Sequence, residues 1–215
     1  MTPAEIIAEA RVLIQDTLTP RRYSDAELLQ FVRRTLQRMA ILRPDLFAVI
    51  EPLAVAAETA LQSCPADSVR LIEVFQVQGG GTIVEVSRQT LDRTVPGWYT
   101  ELAGQPVNFM RHVRNPNRFF LHPRPSAGVS VVVEYAQAPP AYTLGQTILH
   151  PAPVYFPVIV DGVVFLAESV DNEHVNSGRA KMFHDLFKQA LGEGLQARAI
   201  TDTQSGGADP RQVIA

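Results

Sequence analysis

Residues 154–169 read VYFPVIVDGVVFLAES, a run that is apolar nearly all the way round at helical spacing. A helix with no polar face belongs in the middle of other helices. It is too short, and too interrupted by Pro157, Asp161 and Gly162, to be a membrane span. Its place in the chain decides the layout. About a hundred residues with strand character precede it, and other helical segments lie beyond them and after it.

Outward toward the C-terminus, Asp171-Asn172-Glu173 reads as a connection. A last helix then runs from about Val175 to Ile200. Met182, Phe183, Leu186, Phe187, Ala190, Leu191 and Leu195 give it a two-ridged apolar face. Thr201–Ala215 carries Gly206-Gly207 and Pro210 and reads as a flexible tail.

At the other end, Pro3 sits in a first helical turn behind Thr2, a residue suited to capping. Ile6, Ile7, Ala10, Leu13 and Ile14 recur at helical spacing. Ser24-Asp25-Ala26-Glu27 has the form of a capping box. Leu28, Phe31, Val32, Leu36 and Met39 form one stripe behind it, with Arg33, Arg34 and Arg38 mostly off the stripe. Pro44 closes this helix, because the residue before proline avoids the α region.

Between the helices the period changes to two. Val49–Ala56 and Thr59–Gln62 read as short strands. Val69, Leu71, Phe75 and Val77 alternate with an interruption at Glu73, and Gly79-Gly80-Gly81 turns the chain into Thr82–Val86 as a hairpin. Leu91–Tyr99 reads as irregular. Val107–Val113 and Arg118–His122 form a second hairpin around Asn115-Pro116-Asn117. Val129, Val131, Val133 and Tyr135 make the cleanest alternation in the chain.

The expected fold is therefore α+β. Residues 1–45 and 151–200 form a discontinuous helical bundle, residues 46–150 an inserted antiparallel β-rich module, and residues 201–215 a tail.

Composition fits a chain of 215 residues with a real core: 46% of residues are hydrophobic and 19% charged. The formal net charge of −3 argues against a general nucleic-acid binder. One cysteine, Cys64, excludes an internal disulfide and a cysteine-rich zinc site. The N-terminus lacks a basic, apolar leader. No cofactor or membrane association is expected.

No catalytic motif stands out. The triple glycine lacks the Lys-Ser/Thr of a phosphate loop, and neither a G-x-S-x-G elbow nor an H-E-x-x-H pair occurs. His174 and His184 are too far apart for one helical turn, and structural roles are expected for the histidines. An enzymatic alternative, a hydrolase or ligand-binding domain, would place its site in the β module near Trp98, His112 and His122.

One charge pattern does stand out. No acidic residue occurs from Leu102 through Val133, while Arg111, Arg114, Arg118 and Arg124 fall inside this stretch, with Phe109, Phe119 and Phe120 interleaved. The stretch reads either as an anion-facing patch or as strands whose arginines pair with acids elsewhere in the fold.

Several segments together resemble a known family. They are Tyr23–Leu29, Arg43-Pro44-Asp45, Gln62–Pro65 followed by Leu71–Val74, Leu91-Asp92, Pro96-Gly97-Trp98, Asn117–Pro123 and Val133–Pro139, followed by the two C-terminal helices. In order and spacing the chain resembles the phage head–tail connector (adaptor) proteins of short-tailed and related phages, the tail tubular protein A-like group. Cys64 departs from the aliphatic residue expected there. The resemblance implies a virion protein at the head–tail junction, present in the host cytoplasm during assembly, with no enzymatic activity. It implies a ring, usually of twelve copies, beneath the portal protein, a nozzle or tube protein below it, and DNA passing through the lumen without sequence-specific binding. It also gives the C-terminal segment a role in reaching the portal, with Gln204, Asp209, Pro210, Arg211, Val213 and Ile214 as docking residues. Subunit or partner contacts are expected at Arg33, Arg34, Arg38, Arg111, Arg114, Arg118, Phe119 and Arg124.

Overall fold

The computed structural model describes residues 1–170 and 177–205, and the fold is α+β. Contacts among the described residues divide the chain into two compact units. One joins Met1–Met39 to the chain from Ala141 onward, and the other is Ala40–Pro140.

The helical unit contains α1 (Pro3–Leu13), most of α2 (Asp25–Leu42), α4 (Phe156–Glu168) and α5 (Ser177–Ser205). Local chemistry starts the first two helices. The Thr2 hydroxyl accepts from the Glu5 amide, and the Glu5 carboxylate accepts from the Thr2 amide. Ser24 and Glu27 repeat that reciprocal box on α2. The end of α1 is closed by backbone bonds from Asp16 to the Arg11 carbonyl and from Gln15 to the Val12 carbonyl. Gln15 takes the left-handed conformation this closure requires, at φ 58°.

A polar knot then fixes the α1–α2 turn. Asp16, 4% exposed, accepts from the Arg11 guanidinium and from the amides of Arg22 and Tyr23. The Tyr23 hydroxyl donates to the Ala167 carbonyl at 2.6 Å, tying this turn to the end of α4.

Helix α4 packs against α1 and α5, and its Phe165 ring lies under Arg38 of α2. Ile159, Val160, Val163, Val164 and Ala167 are all buried on it. Burying each of the isoleucine and valine side chains is worth about 1.5–3 kcal/mol, which is what holds helices from opposite ends of the chain together. Gly162 permits the closest approach. A Cβ built there would stand 2.5 Å from Thr35 Cγ2 of α2 and 3.1 Å from Phe187 Cε2 of α5.

Helix α5 buries Ala180, Phe183, Phe187 and Leu191, a single ridge. The expected second ridge is open: Met182 and Leu186 are 50% and 44% exposed. The helix also continues to Ser205, five residues past the expected end. No Gly or Pro interrupts Thr201–Ser205, and the first such signal is Gly206. Among the expected docking residues Gln204 thus lies on helical backbone. Asp209, Pro210, Arg211, Val213 and Ile214 lie outside the described residues, as do the Asp171–Glu173 connection and His174.

The β unit holds two sheets. The first orders β1 (Ala48–Ala54), β7 (Ser130–Gln137) and β3 (Ser68–Val77), all antiparallel with β7 central. Pro52 is tolerated because β1 is an edge strand. The second orders β2 (Leu61–Ser63), β6 (Arg118–His122), β5 (Asn108–Arg111) and β4 (Val84–Glu85). Leu71, Val74, Val131, Val133 and Tyr135 of the first sheet share one core with Phe109, Phe119 and Leu121 of the second.

Strand β3 departs from simple alternation. Its buried residues are Ser68, Leu71, Val74 and Val77, a period of three. Register shifts between Ser68 and Arg70, Leu71 and Glu73, and Val74 and Gln76 re-aim the side chains after each short step. Val69 and Phe75 are therefore only half-buried, and Val74 takes the core position expected of Phe75.

The hairpin after β3 is also shorter than expected. Thr82 pairs with Gln76, and the Ile83 amide reaches the Phe75 carbonyl at 2.8 Å. Val84 and Glu85 then leave for the second sheet, where they pair with β5 in parallel.

The stretch read as irregular, Leu91–Tyr99, overlaps the end of α3 (Arg88–Thr94), capped by the Ser87 hydroxyl, and the start of a 3₁₀ turn at Trp98–Thr100. Only Leu91 of α3 is buried, so the helix carries no apolar period to detect. Leu91 and Trp98 cover Met110 and Phe120 on the outer face of the second sheet. Strand β6 is consequently buried on both faces, which explains its nearly unbroken apolar run.

Candidate functional site

Arg33 donates twice to the Tyr142 carbonyl, at 2.7 and 3.1 Å, and so fastens the returning chain to α2. Arg38 lies 5.5 Å from the centroid of the Phe165 ring, a cation–π contact within the helical unit. Arg34 is exposed, with no ion pair among the described residues.

Arg111 joins the two sheets. From β5 it bonds Glu85 of β4 at 2.8 Å and reaches the Leu71 carbonyl of β3 at 3.1 Å and the Ile72 carbonyl beside it. The register shift between Leu71 and Glu73 leaves Ile72 without a ladder partner, and Arg111 satisfies its carbonyl. Arg124 holds two loops together through the carbonyls of Glu101, Glu58 and Thr100. Phe119 is 0% exposed and belongs to the sandwich core, so its ring offers no surface to a partner in this structure.

Arg114 and Arg118 remain, and the fold adds Arg70 to them. With Arg111, His112 and Val113 among their neighbours, these three arginines line a pocket of about 260 Å³. Arg70, Arg114 and Arg118 are exposed and have no ion-pair partner among the described residues. Glu85 pairs with Arg111 alone among the described residues. Arg70 was not legible as a site residue. It reaches the pocket because the β5–β6 loop is bonded to the start of β3, with Leu71 donating to the Pro116 carbonyl at 3.0 Å and Cys64 to the Asn117 carbonyl at 2.9 Å. No local pattern reports such a long-range bond.

The loop that carries Arg114 is held in shape. His112 Nδ1 accepts from the amides of Arg114 and Asn115, at 3.2 and 3.0 Å. That places the proton of the neutral ring on Nε2. The ring stacks on Phe120, with 17° between planes. Asn115 Oδ1 accepts from the Asn117 amide, and Asn117 Nδ2 donates to the Ser68 carbonyl at 2.8 Å. Guanidinium groups on and beside a preorganised loop suit a carboxylate or another planar oxyanion, which each can meet with two parallel donors.

The histidines of the enzymatic alternative have structural partners. His122 Nε2 lies 2.9 Å from a Glu101 carboxylate oxygen, and the Trp98 ring stands edge-on to it at 6.2 Å. Trp98 Nε1 donates to Asp92. Neither His112 nor His122 hydrogen-bonds a hydroxyl or thiol among the described residues. Burial pushes the Cys64 thiol up from its ordinary value, away from the reactive thiolate.

A cleft of about 580 Å³ lies at the α1–α2 turn. Its charged walls are partly paired: Arg22 lies 3.7 Å from Glu168, and Arg179 reaches the Leu13 carbonyl. No cluster of metal-ligating side chains occurs, and no helix is long and apolar enough to cross a membrane, among the described residues.

A search of curated proteins gave no match. A family model described as SU10 adaptor protein matches residues 1–211, nearly the entire chain, and the chain belongs to that family.

Proposed function

We propose that this chain is a structural adaptor of the phage virion that forms a ring beneath the portal and joins it to the tail. The observation that carries the reading is the match to the adaptor family over residues 1–211. In it the helical unit is the ring-forming body and the β unit carries the surfaces that meet neighbours or the tail. Genomic DNA passes through the lumen. The formal net charge of −3 suits a conduit, because each tight phosphate contact would add a barrier to sliding. The C-terminal segment from Gln204 onward docks on the portal.

Mass photometry of the purified chain, alone and with portal rings, tests this. A discrete mass gain of about twelve copies per portal is the expected result, twelve being the number the family resemblance implies. A chain that stays monomeric beside the portal overturns the reading. Deleting the residues after Thr203 should abolish docking, and normal docking without them would remove the tail from the account.

A further inference from the structure

We propose that the arginines of the Arg70–Arg114–Arg118 pocket pair with the carboxylates of Glu9 and Asp161 on a second copy of the chain. The inference rests on the ring reading above and names residues of its subunit contact.

The β unit supplies one half. Three arginines without ion-pair partners among the described residues surround one pocket, on and beside a loop braced by His112, Asn115 and Asn117. Like charges held together on a rigid support favour an anionic partner. The pocket is concave, and Leu71, Val113 and Pro116 share its lining with the charges. A duplex backbone would instead call for cations spread along a track. The chain's negative net charge also disfavours nucleic acid.

The helical unit supplies the other half. A cleft of about 170 Å³ is walled by Leu13, Phe156, Pro157 and Val160 and carries Glu9 and Asp161. Neither carboxylate has an ion-pair partner among the described residues. Burial pushes the Asp161 carboxyl up from its ordinary value, a cost that an incoming cation would offset. An arginine matches both features of the cleft. Its methylene stem lies against apolar walls while its fork meets the carboxylates.

The charges limit the symmetry, and the ring reading supplies the rest. Neither patch can face itself, since arginine would meet arginine or carboxylate would meet carboxylate. A two-fold contact at either patch is disfavoured, whereas a head-to-tail contact pairs them around a closed ring.

Charge exchange between copies tests the contact. Arg114→Glu/Arg118→Glu chains should assemble on portal rings about a hundredfold more weakly than the unaltered chain. Glu9→Arg/Asp161→Arg chains should fail similarly. An equimolar mixture of the two should assemble, because alternating the variants makes every contact complementary in a ring of even copy number. Thermal melting checks that each variant folds. Should Asp161→Arg unfold the half-buried site, Glu9→Arg alone serves, since Glu9 is exposed.

Unaltered assembly by Arg114→Glu/Arg118→Glu overturns the contact while leaving the ring intact. Two defective variants with no rescue in the mixture overturn it as well. Normal rings with weakened retention of duplex DNA would assign the pocket to nucleic acid instead. Failure of the unaltered chain to form any ring removes the ring reading and this contact together.

Discussion

Replacing Gly162 with alanine tests the packing that joins the two ends of the chain. The new methyl would stand 2.5 Å from Thr35 Cγ2, 3.1 Å from Thr35 Oγ1 and 3.1 Å from Phe187 Cε2. Thr35 and Phe187 are 1% and 4% exposed, so neither can swing out. Threonine is also stiff at χ1 within a helix. Two effects compete. Alanine improves helix propensity over glycine by about 1 kcal/mol. Overpacking a full core costs about 1–3 kcal/mol, and a 2.5 Å contact belongs at the upper end. The net expectation is about 1–2 kcal/mol of destabilisation, or roughly 2–8 °C in Tm for a chain of this size. Circular dichroism melting at 222 nm reads it. Adding Thr35→Ser removes Cγ2 and should recover more than half of the loss, a coupling that only residues in contact show. A Gly162→Ala chain as stable as the original would refute the close approach of α2, α4 and α5.

Three further outcomes follow from other sites. Asp16→Ala removes one of the two carboxylates paired with Arg11, which keeps Asp25, and strips the amides of Arg22 and Tyr23 of their acceptor, and should cost about 1–3 kcal/mol in denaturant unfolding. Burial, followed by the nearby carboxylates Asp67 and Glu51, pushes Tyr135 from 10.0 to about 12. Its neutral phenol is favoured in the folded state, so this stabilisation is complete below pH 10 and lost as pH rises through about 12; ultraviolet titration should show one tyrosine ionising last. Asp161 follows the same sign: its raised carboxyl favours the protonated form, full below the ordinary value of 3.8 and lost as pH rises through the folded value. Asp161→Asn should therefore raise Tm at pH 7 while weakening assembly on the portal.

What the sequence revealed was mostly what short range decides. The capping boxes at Thr2–Glu5 and Ser24–Glu27 close within three residues, and both form. Strand β7 alternates cleanly because it is central to its sheet, and the β5–β6 hairpin follows its Asn-Pro-Asn turn. Periodicity also identified α4 as buried. It misread β3, where three register shifts change the period from two to three. It missed α3, whose one buried side chain leaves no pattern.

The site divides along the same line. The acid-free stretch drew attention to Arg111, Arg114, Arg118 and Arg124. Which of them hold the fold depends on carbonyls contributed by distant segments. Arg70 joins the pocket through backbone bonds between β3 and the Pro116–Asn117 loop, a pairing invisible in either segment alone. The family match supplies what the geometry of one chain does not, the class of assembly to which these surfaces belong.

Single-particle imaging of this chain mixed with its portal rings tests the central claim most directly. The account predicts one closed ring of about twelve copies under each portal, with the helical units forming its body. Portal rings that remain bare, with the chain monomeric in solution, would contradict it.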